Sequence, residues 1–252
     1  MSLSPAAHLP DKFIIESPEL RAAVESNTPI RFFPSGEPYI PLPAPHSQFY
    51  LGCERQSDLP GDDKMMNDLR LMHQLAGPPF PNPIVNAQRH LVRQRAAVQA
   101  LFAGYASGKW KPAPSSPFDV VREIKEDGSE AYVGQVTFGV DEHTKRTTPV
   151  PEGLEEWRIE AVCEIGAVLN LEYHNRGIAS AAVRTILNDW AFPQMGATEI
   201  HAGCFQSNIS SAKLWEKHGF VEVPELRGSY KVPEVKGGGE EATFTLVWRL
   251  QN

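Results

Sequence analysis

The sequence predicts an α/β fold: one mixed, mostly antiparallel sheet of about seven strands with helices on both faces. Three observations predict it. The stretch Glu164 to Val221 reads strand, tight turn, helix, strand, helix. Phe118–Lys125 and Ala131–Val140 read as two strands joined at Asp127-Gly128, a strong hairpin turn. Between Ile178 and Trp190, apolar residues recur at helical spacing (Ile178, Ala182, Ile186, Trp190), with Val183 beside them.

Taken in order, residues 1–47 are proline-rich and read as an arm laid over a domain that occupies 48–252. Phe13-Ile14-Ile15 and Ile30-Phe33 are short extended pieces, Pro18–Val24 is one or two helical turns, and Pro38–Pro43 favours an extended or polyproline conformation. The domain opens with a strand at Phe49–Glu54. A helix follows from about Asp62 to Leu75, with the Asp62-Asp63 pair suited to its start. Gly77-Pro78-Pro79-Phe80-Pro81-Asn82-Pro83 is a stiff loop in which no helix persists. A second helix runs from about Ile84 to Ala103. After the hairpin comes a loop, Asp141 to Glu156, then a strand over Arg158–Leu169, a helix from Gly177 to Phe192 and a strand over Thr198–Phe205. The helix after Asn208 ends at Gly219. Strands at Phe220–Val223 and Ala242–Leu250, separated by a flexible Gly237-Gly238-Gly239 loop, close the chain.

At 252 residues the chain is long enough to bury a full core. No run of eighteen apolar residues occurs, and Met1–Pro5 lacks the basic start and apolar core of a signal peptide, so no membrane association is expected. Cys53, Cys163 and Cys204 are odd in number and far apart, as for reduced, buried thiols in a cytoplasmic protein. A net charge of −7 argues against nucleic acid as a partner and is compatible with a cationic acceptor. No ligand pair supports zinc, and neither a Gly-x-Gly-x-x-Gly turn nor a P-loop is present, so no metal is expected.

The chemistry points to the turn His174-Asn175-Arg176-Gly177-Ile178-Ala179-Ser180, which follows the apolar run Ile165–Leu169. A chain leaving a strand and opening a helix at Gly177 aims several free backbone N–H groups at one spot, and the helix dipole makes that end partly positive. Such a terminus suits a pyrophosphate. Gly177 allows close backbone approach, Ala179 and Ser180 keep the first turn small, and Arg176 is the one obvious cation for the pyrophosphate, a solvent-facing arginine being the alternative. About thirty residues on comes Asn208-Ile209-Ser210-Ser211, leading into Glu216-Lys217-His218-Gly219-Phe220.

Together with Glu164-Ile165-Gly166, these two ordered motifs resemble the GNAT superfamily of acyl-CoA-dependent N-acetyltransferases, and within it the RimJ/RimL-like branch. The resemblance covers roughly residues 48–223 and is strongest from Glu164 onward. It implies a GNAT fold and an enzyme that moves an acetyl group from acetyl-CoA to a primary amine, in a small molecule or peptide, by direct attack. A non-catalytic GNAT-like module that binds an acyl-CoA or a peptide is the alternative. It implies backbone contacts from Val168, Leu169 and Asn170 to the pantetheine arm, a contact from Asn208, and a hydrogen bond from Ser211 to the coenzyme sulfur. Asn208 also suits a plain helix cap. The chain departs from the family at His174, where Gln or Arg is usual, and at Trp215, where many relatives carry a tyrosine that protonates the thiolate. The Pro-Pro-Phe-Pro loop resembles one that borders the acceptor pocket in that branch, which makes Phe80 a candidate substrate contact.

An amine nucleophile must lose its proton, so a base or water relay is useful. Glu160 and Glu164, four apart on one predicted strand, share a face opposite the packing face of Ala161, Cys163, Ile165 and Ala167. Glu164 is the first candidate as base or water-positioning group and Glu160 the second, a salt-bridged or solvent-facing glutamate being the alternative for either. The acceptor's identity stays open, as does the choice between monomer and homodimer.

Overall fold

The structure is a computed structural model that describes residues 8–108, 115–141, 143–158 and 160–250. The expectations placed on Met1–Pro5, and on Glu142 and Ile159 within the predicted loop and strand, lie outside the described residues. Among the described residues the sheet has ten strands rather than seven. Two of the three extra strands come from the proline-rich N-terminal segment: β1 (Arg31–Phe32) pairs with β2 (Pro38–Pro41), which pairs with β3 (Phe49–Gly52). Both prolines of β2 sit at its ends, where a missing N–H is tolerated. A charge network fixes this segment to the main sheet. Arg55 Nε and Nη2 donate to Glu37 at 2.6 and 2.8 Å, Arg55 Nη1 donates to Glu130 at 2.6 Å, and Lys12 lies 3.3 Å from Glu37. The bidentate fork satisfies both buried partners and leaves neither charge alone.

Before the first cavity-forming elements, α1 (Pro18–Asn27) is capped by the Ser17 side chain. The helix expected over Asp62–Leu75 is two pieces, α2 (Leu59–Met66) and α3 (Leu69–Met72). The break has a local cause. Asp68 accepts from Arg70 N–H and caps a new turn, while the Asn67 amide is drawn to Asn82, donating to its carbonyl and accepting its N–H. Asp62 does not cap α2. It accepts from Tyr132 Oη (3.0 Å) and Gln135 Nε2 (3.2 Å), which seats α2 on one face of the sheet. After the proline loop, α4 (Ile84–Ser107) runs as the periodicity predicts and stops at Gly108, whose φ of +65° a side chain would strain.

The hairpin β4 (Val120–Ile124) and β5 (Glu130–Val140) leads to β6 (Cys163–Leu169), antiparallel to β5. β6 starts five residues later than the predicted strand. α5 (Ile178–Thr185) packs on the face opposite α2 and continues as a π-helical turn, Ile186–Ala191, that buries Trp190 against Phe118. Next come β7 (Glu199–Phe205), α6 (Ile209–Lys217), β8 (Val221–Glu222), β9 (Gly228–Lys231) and β10 (Glu240–Arg249). β9 has no apolar alternation to announce it. It exists by pairing with β10, which removes it from the loop expected there. Among the described residues every strand pairing is antiparallel except β6 with β7. One contiguous apolar core runs from Ile30 and Ile40 through Phe118 and Ile165 to Trp190 and Trp215. No helix among the described residues is long and apolar enough to cross a membrane.

Candidate functional site

The parallel pair is where the sheet opens. β6 and β7 are in register only at Cys163–Ile200 and Glu164–His201, although β6 runs on to Leu169 and β7 to Phe205. Beyond Glu164 the strands part, and two cavities meet in the gap, sharing Gly166, Ala167, Val168, Gly203 and Cys204 as lining. One, of about 710 Å³, lies toward α5 and α6. The other, of about 860 Å³, lies toward α4 and the loop before it.

The first cavity is built mainly of backbone. Two cross-strand bonds, Asn170 N–H to Val133 O (2.8 Å) and Asp141 N–H to Val162 O (3.0 Å), fix the alternation of the β5–β6 ladder. Even-numbered residues of β6 therefore bond to β5, and Ile165, Ala167 and Leu169 turn their N–H and C=O groups to the gap. Of Val168, Leu169 and Asn170, only Leu169 turns its backbone groups to the gap; those of Val168 pair with β5, although Val168 lines the cavity. Asn170 is turned away, its side-chain amide donating to Tyr132 O. His174 Nε2 lies 2.9 Å from Leu169 O and occupies that carbonyl.

The turn then delivers its amides. Asn175 (φ +57°) and Gly177 (φ +77°) are both left-handed, and the first intrahelical bond is Ala181 N–H to Gly177 O at 3.0 Å. The N–H groups of Gly177, Ile178, Ala179 and Ser180 precede it and are left for another partner. A Cβ at Gly177 would stand 3.1 Å from His46 Nε2 in a backbone conformation that side chains rarely adopt, so a substitution there is strained. Ser180 Oγ is 3.1 Å from His218 Nε2, which ties α5 to the end of α6.

Arg176, expected to supply charge here, lies elsewhere. It sits over the rings of Tyr173 (5.1 Å) and Phe49 (5.8 Å) with Glu123 at 3.7 Å, and it does not line the cavity. The cations that do are Arg70 of α3 and Lys213 and Lys217 of α6. The lysines, at i and i+4 on one helix face, were legible from spacing; nothing in the sequence marked Arg70. On α6, Asn208 both lines the cavity and caps the helix, accepting from Ser211 N–H at 3.1 Å. Trp215 is buried and donates its Nε1–H to Ser211 Oγ at 3.0 Å. The Ser211 hydroxyl hydrogen is then free to point at a third group, and Cys204, where the two cavities meet, is its neighbour.

The second cavity is built of side chains. Its floor carries Gln135 and Thr137 of β5 and Glu164 of β6, its walls His90, Arg93 and Gln94 of α4, and its rim Leu75 to Pro78. Burial and nearby Asp141 raise the Glu164 carboxyl above the usual carboxylate range, partly offset by His201. No hydrogen-bond partner within the described residues holds Glu164. Glu160 lies outside β6 and outside both cavities; its carbonyl accepts from Arg146, so the shared-face argument that paired it with Glu164 does not apply. Phe80 lines neither cavity. The Gly77–Pro83 loop lines the second cavity only through Gly77 and Pro78, next to Leu75 and Ala76 before it.

Comparison with known proteins agrees with this architecture. The acetyltransferase (GNAT) domain family matches residues 65–221. No curated protein matches the sequence. Among solved structures, a GNAT-family acetyltransferase from Bacillus anthracis superposes with a TM-score of 0.52 at 18% identity, over 84% of this chain and 98% of its own. A ribosomal-protein-S5-alanine acetyltransferase from Vibrio fischeri gives 0.54 at 18% identity, over 80% and 93%. RimL, a ribosomal L7/L12 α-N-protein acetyltransferase in complex with coenzyme A, gives 0.51 at 13% identity, over 84% and 98%. At these identities the structures show the shared fold. The family match covers well over half of the 252 residues, and the chain belongs to the GNAT acetyltransferase family.

Proposed function

We propose that this protein moves an acetyl group from acetyl-CoA to a primary amine, by direct attack of the amine with both substrates bound. The observation that carries the proposal is the meeting of two unlike cavities in the gap between β6 and β7. One is lined by free amides and the other by a carboxylate of raised pKa. Acetyl-CoA supplies an activated thioester. The amides of Gly177 to Ser180, with Arg70, Lys213 and Lys217, suit its pyrophosphate. The inward-facing N–H and C=O groups of Ala167 and the N–H of Leu169 suit the amides of the pantetheine arm. Ser211, already accepting from Trp215, has its O–H hydrogen to offer to a departing thiolate. Glu164 takes the amine's proton, directly or through a water, and its raised pKa brings it nearer to that of the amine it serves. An amine is also the acceptor class in the names of the ribosomal-protein acetyltransferases that share the fold.

Calorimetric titration of acetyl-CoA into wild type and Gly177→Glu tests the proposal, alongside thiol release from acetyl-CoA with a broad panel of amines. Micromolar binding that falls at least about a hundredfold in the variant, a loss of roughly 3 kcal/mol, is expected, together with turnover on at least one amine. Folded wild-type protein that does not bind acetyl-CoA would sink the proposal. Binding without turnover on any amine would instead leave a GNAT-shaped binding module.

A further inference from the structure

The second cavity holds charges that proton removal at Glu164 does not use. His90, Arg93 and Gln94 stand at i, i+3 and i+4 of α4 and present one face to the cavity. His90 Nε2 lies 2.9 Å from Asp119 Oδ2 and 3.8 Å from Glu54 Oε2, both carboxylates being fully buried. Gln94 Nε2 donates to the same Asp119 oxygen. Nε2 is therefore the ring nitrogen committed to the protein, and Nδ1 is left on the side of Arg93, whose Nη2 is 3.4 Å away.

Asp119, in contact with the ring, is the main group that raises the imidazole pKa, against the cost of burial and against Arg93. Burial raises the Glu54 carboxyl well above its usual value, which weakens it as a second negative charge. One anion, Asp119, thus stands behind two adjacent cations. Among the described residues no carboxylate lies within ion-pair distance of Arg93, and its one polar contact is His90. The open side of the pair is the cavity. Glu164 and Asp141 line the same cavity from β6 and the end of β5, so it is acidic on one side and cationic on another.

We propose that the acceptor carries an anionic group, carboxylate or phosphate, that docks on Arg93 and His90 while its amine is received at Glu164. The proposal rests on reading this cavity as the acceptor side. A guanidinium fork with an imidazolium beside it matches the two oxygens of either anion. A polyamine would bring a third cation to the pair, and an uncharged amine would leave the pair unneutralised.

The test uses acetyl-CoA-dependent thiol release with amines in four arms. Carboxylate-bearing amines include glycine, β-alanine and glutamate, and phosphate-bearing ones include phosphoethanolamine and glucosamine 6-phosphate. Glycinamide, ethanolamine and glucosamine are neutral apart from the amine, and spermidine is the cationic arm. The expected result is turnover concentrated in the carboxylate or phosphate arm. Arg93→Gln, an exposed helix substitution, should raise KM for the best anionic acceptor at least about tenfold more than for its neutral analogue, with kcat little changed. A best acceptor from the neutral or cationic arm, or equal KM changes for both analogues, overturns the proposal. If no amine turns over although acetyl-CoA binds, the transfer reading itself fails, and the anion site is read by NMR. Titrating inorganic phosphate onto the CoA-bound protein should shift the His90 ring signal saturably in wild type and not in Arg93→Gln. No shift in wild type overturns the anion site independently of catalysis.

Discussion

The two cavities flanking the β6–β7 gap are built from different parts of the polypeptide. The cavity proposed for the coenzyme is made of backbone: the inward-facing groups of β6, the amides of one helix terminus, and a glycine whose conformation side chains rarely adopt. The second cavity is made of side chains contributed by α4, β5 and β6, with a buried acid cluster behind its wall. Backbone geometry belongs to the fold and tolerates exchange of most side chains around it. A side-chain cavity is only as good as each group in it. Deletions should therefore be costly on the second side and mild on the first, wherever the coenzyme-side backbone itself is left alone.

The largest effect expected on the side-chain cavity is at Glu164. Glu164→Gln should lower kcat by about 10²- to 10⁴-fold, the usual contribution of a positioned base, while acetyl-CoA affinity stays at the wild-type level because Glu164 does not line the coenzyme cavity. The pH profile sharpens the test. A base must be unprotonated, so the wild-type rate should fall as pH drops through the raised pKa of Glu164, and that acid limb should vanish in the variant. A variant with near-wild-type turnover would show that the second cavity does not supply the base.

The acid cluster behind the cavity wall should show itself in stability. Glu54 has its pKa raised to about 9 in the native state, so above the ordinary carboxylate range the folded protein holds a proton that the unfolded chain has released. Stability linked to that proton falls as pH rises and is gone above about 9. His90, whose pKa is raised chiefly by Asp119, acts in the same direction above its ordinary value. The melting temperature should therefore decline from neutral pH to about pH 9. Glu54→Gln, which keeps a neutral amide in place of the neutral acid, should flatten that decline. Each kcal/mol retained is worth about 2–4 °C in a chain of this size, so a difference of several degrees at high pH is within reach of calorimetry. Parallel curves for the two proteins would mean that Glu54 is ionised in the native state.

The same contrast between backbone and side chains governs how much was legible in the sequence. The helix at Ile178, the cap at Asn208 and the hairpin at Asp127-Gly128 are encoded within a few residues of themselves, and each was readable there. The turn at Gly177, with its exposed amides, was legible for the same reason. Its charge was not: Arg176 sits inside the motif yet turns to Glu123 and two aromatic rings, while Arg70 arrives from a helix a hundred residues earlier. The second cavity joins His90, Arg93, Asp141 and Glu164, and no local pattern links segments that only the sheet brings together. The N-terminal strands escaped for a related reason. Pro38 and Pro41 read as polyproline, and it took the neighbouring strand β3 and the Arg55–Glu37 pair to make them a sheet edge.

The smallest effect, and the sharpest test of the backbone side, is at Ser211. Its hydroxyl has two possible duties: accepting from the buried Trp215 Nε1–H at 3.0 Å, and donating to the coenzyme sulfur. Ser211→Ala removes both. An unpartnered buried N–H costs about 1–3 kcal/mol, and loss of one neutral donor to the leaving group is worth roughly tenfold in rate. The two duties separate in the double variant Ser211→Ala/Trp215→Phe, because removing both partners of a hydrogen bond leaves no orphan. Stability should then return toward wild type while the tenfold rate loss persists. Recovery of the rate along with the stability would mean that Ser211 only positions Trp215. The coenzyme-side cavity would then stabilise the thiolate without any side-chain hydroxyl, and the division between a backbone cavity and a side-chain cavity would be stricter than proposed.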